Sequence, residues 1–169
     1  MIRYNAAALG LAASLLAPMT AASAETIRDA ALGYSITFPG EAERSELEEE
    51  LPDWALEVSA WEATGSGMGI TAVRTLPKGE RYSDPDATLA EFKDLCFKSD
   101  KLVEEKRLDI PGGRGVDIVG ASFIPTVGNQ TNLLRVVVKT NKIYCATASY
   151  YEGEDAGPAR AFIRSLKVD

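Results

Sequence analysis

The sequence predicts an α+β fold, in which a mainly antiparallel β-sheet of about six to seven strands is packed by two amphipathic helices. Segments rich in β-branched and aromatic residues alternate with turn signals along most of the chain. The gaps between these segments are mostly short enough for hairpins, which implies antiparallel neighbours. Two further segments carry apolar residues at helical spacing, and a sheet face can bury such stripes. We therefore expect one sandwich of helices and sheet.

Residues 1–24 are predicted to be a signal peptide. Arg3 gives a positive start, residues 6–17 form an apolar run, and Ala22-Ser23-Ala24 is a cleavage site of the small-x-small type. As a helix the run would span about 18 Å, too short for a bilayer core of about 30 Å. We expect cleavage between Ala24 and Glu25, a periplasmic or secreted protein, and no stable membrane insertion after signal removal. An uncleaved anchor is the alternative.

The predicted mature chain, residues 25–169, has the length of a single domain. The full sequence carries 18 Lys and Arg against 25 Asp and Glu, a net charge of −7. This balance disfavours nucleic acid and anionic lipid headgroups as partners. The sequence has no histidine, which removes the commonest general base and the commonest metal ligand. We therefore expect no catalytic residue, no metal site and no cofactor.

The N-terminal half of this domain predicts three strands. Residues 34–38 alternate between apolar and polar side chains, and a Pro-Gly pair closes this strand. Residues 54–63 and 68–76 form two more strands, joined as a hairpin by the glycine-rich residues 64–67. The acidic residues 41–53 are expected to be a solvated loop. A site for calcium or a cationic partner is the alternative there.

The first helix is predicted to begin at Pro85, with Asp84 as its N-cap. Leu89, Phe92 and Cys96 fall at positions i, i+3 and i+7 of this helix, so they share one buried face.

The C-terminal half predicts four strands and a closing helix. The four strands are residues 102–110, 115–123, 133–139 and 143–151. Pro111-Gly112-Gly113 joins the first two as a tight turn, and residues 124–130 form a loop before the last hairpin. The closing helix begins at Pro158. Its apolar residues at helical spacing are Ala159, Phe162, Ile163 and Leu166.

Cys145 is predicted to face the core from the last strand. A turn at residues 141–142 would place it opposite Val138, and a turn one residue earlier would place it opposite Val136. In either register it shares a sheet face with apolar side chains. These are Ile143, Leu134, Val136 and Val138.

The sequence has two cysteines, and Cys96 also points to the core from its helix. An even count in an exported protein favours a disulfide between Cys96 and Cys145. Two separate buried thiols, a thiolate nucleophile and a metal site are the alternatives. An apolar strand face disfavours the nucleophile, which needs an electropositive and partly exposed setting.

The opposite face of the last hairpin carries Tyr144, Arg135 and Lys139, and we expect it to be solvated. Exposed aromatic and arginine side chains are frequent anchors of protein contacts. These three residues therefore form a candidate contact surface.

Four segments resemble segments that occur in the same order in exported bacterial proteins with the PsbP-like α/β/α sandwich. They are YSITFPGEAE, KLVEEKRLDIPGGRGVDI, LLRVVVKTNKIYCATASY and ARAFIRSLKV. The resemblance covers most of residues 32–168. It implies a PsbP-like fold and a non-enzymatic binding or assembly role, and it includes no catalytic motif to carry over.

The expected function is that of an exported, non-enzymatic binding or accessory module, whose partner is an envelope protein or a small ligand. One alternative is a carboxylate- or metal-dependent envelope hydrolase or transferase, which requires a cleft where several carboxylates converge. The other is a structural envelope protein that self-associates.

Overall fold

The computed structural model describes residues 23–45, 53–63, 66–97 and 99–169, and within them the chain forms ten strands and two helices. The strands are β1 (Glu25–Asp29), β2 (Tyr34–Phe38), β3 (Glu43–Arg44), β4 (Glu57–Ala63), β5 (Met68–Arg74), β6 (Lys101–Leu108), β7 (Gly113–Ile124), β8 (Gly128–Lys139), β9 (Lys142–Tyr151) and β10 (Lys167–Val168). The helices are α1 (Pro85–Cys96) and α2 (Gly157–Ser165). The predicted apolar signal region and residues 46–52 of the acidic stretch lie outside the described residues.

The described strands form two antiparallel sheets. The large sheet has seven strands in the order β3-β4-β5-β9-β8-β7-β6, and the small sheet has the order β1-β2-β10. The predicted α+β class with a mainly antiparallel sheet and two helices is confirmed. The predicted first strand, residues 34–38, lies in the small sheet, where it pairs with β1 and β10.

The hairpins of the large sheet follow the predicted order with shifted ends. Ala63 pairs with Met68, which closes the β4–β5 hairpin. The loop predicted at residues 124–130 is shorter than expected, because β8 begins at Gly128. Trp54 lies in a turn before β4, not in the strand, and its ring packs edge-on against Phe92 of α1 at a centroid distance of 5.4 Å.

The last hairpin adopts the second of the two predicted registers, in which Cys145 lies opposite Val136. Thr140 takes a left-handed backbone conformation with φ of 60° at the turn. Asn141 follows it with a buried amide, which donates hydrogen bonds to the carbonyls of Leu76 and Pro77 at 3.0 and 2.9 Å. These bonds hold the turn against the loop after β5 and fix the register.

α1 covers one face of the large sheet. Asp84 caps the helix by accepting hydrogen bonds from the backbone amides of Asp86 and Ala87, as predicted. Leu89 is the buried residue of the helix, and it packs on the face that carries Cys145. The apolar residues expected on that face form this core. They are Leu134, Val136, Val138 and Ile143.

The small sheet and α2 cover the other face of the large sheet. α2 packs on β2, β8 and β9, and its buried residues are Ala159, Phe162 and Ile163. The ring of Phe162 lies 4.7 Å from that of Phe38 in β2. Both faces of the central strands are therefore buried, which makes the molecule a layered sandwich.

The prediction that Tyr144 lies on a solvated face is wrong. Only 1% of Tyr144 is exposed, and its hydroxyl donates a hydrogen bond to the carbonyl of Leu32 at 2.7 Å. Its ring meets that of Tyr34 edge-on at 6.0 Å. The reason is the small sheet, which covers this part of the face. Lys139 is half-buried, and its Nζ donates to the carbonyl of Val168 in β10 at 3.3 Å.

Burial raises the pKa of Tyr144, and the nearby carboxylates of Asp169 and Asp29 raise it further. Burial also raises the pKa of Tyr34 and of Tyr82. In the unfolded chain a tyrosine ionises near pH 10. The native state therefore keeps protons that the unfolded state releases, so this contribution to stability is complete below about pH 10 and is lost as the pH rises above it.

We expect Tyr144→Phe to flatten this alkaline loss of stability. Near pH 8 the variant should be less stable by about 1 kcal/mol, because the carbonyl of Leu32 loses its buried hydrogen bond. The measurement is the urea unfolding free energy of both proteins at about pH 8 and about pH 11. Parallel declines in the two proteins would contradict the argument.

Candidate functional site

A groove of about 370 Å³ lies between α2 and the outer strands β6, β7 and β8. It exists because α2 packs over β8 and β9, whereas β6 and β7 extend the sheet beyond the helix. The charged residues of the groove are Glu104, Lys106, Asp117, Arg135, Arg160 and Arg164, and its apolar residues are Leu108, Val119, Leu133 and Ile163. Ile118 and Leu134 also border it, but their side chains belong to the core on the other face of the sheet. We call it the basic groove.

The sheet wall of the basic groove is a row of alternating charge. Lys106 of β6 lies opposite Asp117 of β7, which in turn lies opposite Arg135 of β8. Arg135 holds Asp117 with two parallel hydrogen bonds, Nε to Oδ1 at 2.6 Å and Nη2 to Oδ2 at 2.7 Å. This paired geometry fixes the guanidinium of Arg135 in place and engages the carboxylate of Asp117.

The helix wall of the basic groove carries Arg160 and Arg164, which are one helical turn apart on the exposed side of α2. Like charges at this spacing weaken a helix slightly. Among the described residues, neither guanidinium has a carboxylate oxygen within 4.0 Å. The two arginines therefore present free hydrogen-bond donors to whatever enters the groove.

The basic groove has the opposite charge to the whole chain. Its four cations face two carboxylates, a balance of +2, whereas the sequence carries −7. Guanidinium groups stay protonated and bind carboxylates or phosphates in a forked geometry. The lining thus offers recognition of an anion above an apolar floor.

The basic groove contains one of the three residues predicted for the contact surface. Arg135 lines it, Tyr144 is buried in the core, and Lys139 contacts β10 outside it. Lys106, Arg160 and Arg164 were not predicted from the sequence as contact residues. The arginine pair was visible as the polar side of the predicted closing helix, but nothing local indicated that Lys106 would join it across the sheet.

The two cysteines lie on the opposite side of the large sheet from the basic groove. The sulfur atoms of Cys96 and Cys145 are within bonding distance, and their Cα atoms are 6.6 Å apart. This Cα separation suits a disulfide. Cys96 is the last residue of α1, so such a bond would fasten the end of the helix to β9.

The described residues offer neither a metal-binding cluster nor a membrane-spanning helix. No group of three or more Cys, Asp and Glu side chains is placed to hold a metal ion. No helix in this part of the chain is long and apolar enough to cross a membrane.

The structure is similar to that of cyanobacterial PsbP (CyanoP) from Synechocystis sp. PCC 6803, with a TM-score of 0.55 over 90% of this chain and 96% of that chain. The chain has a PsbP-like fold. The two sequences are only 12% identical, so the similarity between the two proteins is a similarity of fold alone. It confirms the fold expected from the four resembling segments.

A second similar structure comes from Bacteroides thetaiotaomicron VPI-5482, with a TM-score of 0.45 and 14% identity. The match covers 80% of this chain and 45% of that one. The sequence matches no protein-family model and no curated protein.

Proposed function

We propose that this PsbP-like protein is an exported, non-enzymatic binding module that holds an acidic segment of a partner protein in the basic groove. The observation that carries the proposal is the cluster of four cations in an otherwise acidic molecule. An acidic segment is repelled by most of the surface and attracted at this groove, which selects both the site and the orientation of docking.

The spacing of the cations favours a segment over a single small anion. Arg160 and Arg164 are about 6 Å apart along the axis of α2. Lys106 and Arg135 are two strands apart, which is about 10 Å. One carboxylate cannot reach all four groups, whereas a chain with several acidic residues can. The apolar floor then accepts the side chains between them.

The position of Arg135 supports a binding role. Its bond to Asp117 holds the guanidinium in one geometry before any partner arrives. A preorganised group loses less conformational entropy on binding than a free one. Arg160 and Arg164, which have no ion-pair partner among the described residues, supply further contacts around this fixed point.

Two features support an extracytoplasmic location. Residues 1–24 have the pattern of a signal peptide. The cysteine sulfurs lie within bonding distance, and disulfides persist mainly in oxidising compartments. The alternative of a carboxylate- or metal-dependent hydrolase or transferase gains no such support from the described residues.

Charge reversal in the basic groove tests the proposal. We expect Arg160→Glu/Arg164→Glu to weaken binding of an acidic peptide by about tenfold or more, because two attractive contacts become repulsive. The probe is a fluorescein-labelled peptide of alternating glutamate and leucine, and the measurement is fluorescence anisotropy at low and at physiological salt. The wild-type affinity should fall as salt screens the charges.

The matched control is Arg28→Glu/Arg81→Glu, which changes the net charge equally at two exposed residues outside the groove. It should retain most of the affinity. Equal losses in the two variants would show a response to net charge alone and would overturn the groove as the site.

A further inference from the structure

A second cavity, of about 340 Å³, lies on the opposite face of the large sheet at the C-terminal end of α1. The helix ends at Cys96, and Phe97 continues in extended conformation. α1 therefore covers part of this face and leaves the next residues of β8 and β9 open. Asn132 lies opposite Ser149, and Leu134 lies opposite Thr147, so these side chains project into the cavity beyond the cysteines.

The walls of this cavity are uncharged and combine polar with apolar side chains. The hydrogen-bonding side chains that line it are Ser99, Gln130, Asn132, Thr147 and Ser149, and no described lining residue is charged. The strands that build it share this character. Residues 118–134, which are 17 residues, contain no charged side chain in a chain that is 25% charged, and neither do residues 143–151. The lack of charge thus extends along the stretches of β8 and β9 that form the sheet wall of the cavity.

Several of these side chains have donor or acceptor groups that make no hydrogen bond within the described residues. Asn132 donates through Nδ2 to the hydroxyls of Ser99 and Ser122 at 3.0 and 3.3 Å, which leaves its carbonyl oxygen free to accept. Thr147 makes one long bond, to the carbonyl of Gly69 at 3.5 Å. Gln130 and Ser149 have no side-chain hydrogen bond within the described residues.

The chemistry of the walls selects the ligand class. A charged ligand would lose hydration here without meeting an opposite charge, and an apolar ligand would leave the polar side chains unsatisfied. Hydroxyl groups both donate and accept, as the lining amides and hydroxyls do. Phe97 and Leu134 supply an apolar wall for carbon-bound hydrogens. The volume is in the range of small-molecule sites.

We propose that this cavity binds a neutral, hydroxyl-rich ligand of about the size of one sugar ring. A free monosaccharide and the terminal unit of a glycan share this chemistry. The site is independent of the basic groove, because the two lie on opposite faces of the sheet.

The test is a titration of ¹⁵N-labelled protein, followed by NMR, with glucose, galactose, mannose and N-acetylglucosamine. We expect at least one of them to shift the backbone amide signals of Ser99, Asn132 and Ser149, with a dissociation constant of about 1 mM or lower. Glucuronate and glucosamine, the charged analogues, should bind at least about tenfold more weakly. The sugar that binds best is then tested again as the terminal unit of a trisaccharide. If the trisaccharide binds more tightly than the free sugar, the natural ligand is a glycan terminus. If the two bind equally, it is the free sugar.

Variants locate the site. Gln130→Ala/Ser149→Ala should weaken binding by about tenfold, because it removes two free hydrogen-bonding groups. Thr147→Trp should abolish binding by filling the cavity. The control, Asn129→Ala, changes an amide on the other face of the same strand and should bind normally. Arg160→Glu/Arg164→Glu should also bind normally, which separates this site from the proposed function.

Three results would overturn the inference: no signal shift with any neutral sugar, shifts confined to another surface, or unchanged affinity in a folded Gln130→Ala/Ser149→Ala variant. Should Thr147→Trp fail to fold, the double variant and the wild-type shift map decide the question.

Discussion

Removal of the cross-link between Cys96 and Cys145 is expected to lower the free energy of unfolding by about 4 kcal/mol. The two residues are 49 positions apart, so a bond between them closes a long loop and restricts the unfolded chain. It would also fasten the last residue of α1 to β9, and α1 covers one of the two cores. For a domain of this size the unfolding midpoint should fall by about 10 °C.

The measurement compares urea unfolding of the wild type with that of Cys96→Ala/Cys145→Ala, each with and without a reducing agent. A reducing agent should destabilise the wild type and leave the double variant unchanged. This comparison separates the bond from the loss of two partly buried side chains. Alkylation of the unreduced wild type should label no cysteine, and two labelled thiols per chain would contradict the disulfide.

Substitution of Phe162 by alanine is expected to cost about 3–5 kcal/mol of stability. Only 1% of Phe162 is exposed, and its ring packs against Phe38 where α2, the small sheet and the large sheet meet. The cavity left by the ring would loosen all three layers. Because α2 also carries Arg160 and Arg164, we expect the variant to bind an acidic peptide less well even where it stays folded.

The matched control for this substitution is Phe123→Ala, which removes the same ring from β7, where 64% of the residue is exposed. We expect a change of less than about 0.5 kcal/mol there. The measurement is the urea unfolding free energy of both variants. Similar losses at the two sites would contradict the assignment of Phe162 to the core between the layers.

The sequence predicted the hairpins well because their signals are local. Alternating side chains and a Pro-Gly-Gly turn specify β6 and β7 without knowledge of the rest of the chain. The sequence of the last hairpin alone could not decide between its two possible registers. The choice depends on the buried amide of Asn141, whose partners, Leu76 and Pro77, are about 65 residues away along the chain.

The small sheet could not be predicted in the same way. β10 is two residues long and pairs with β2 across most of the chain, so no local pattern indicates it. The sequence of β9 did contain one indication that Tyr144 is buried. Ala146 and Ala148 share its face, and Cys145 lies on the other, so β9 is largely apolar on both faces, as strands covered on both sides are.

The basic groove was predictable in part. Arg135, which the sequence predicted as a contact residue, lines the groove, whereas Arg160 and Arg164 were not predicted although they lie on the polar side of α2. Their convergence with Lys106 depends on how far β6 and β7 extend beyond the helix, which is a matter of tertiary packing. Residues from separate elements form such a site. A sequence pattern can therefore indicate single residues of the site, but not that they come together.

Photo-crosslinking in the cells that make the protein shows whether the basic groove holds an acidic segment of a partner. A photoreactive residue replaces Glu104, which lines the groove, so that all four cations remain. The control places it at the neighbouring Glu105, which points to the other face and meets Lys93 of α1. We predict one cross-linked partner from residue 104 alone, joined through a peptide that contains several acidic residues. Equal cross-linking from both positions, or a captured peptide without acidic residues, would contradict this role of the basic groove.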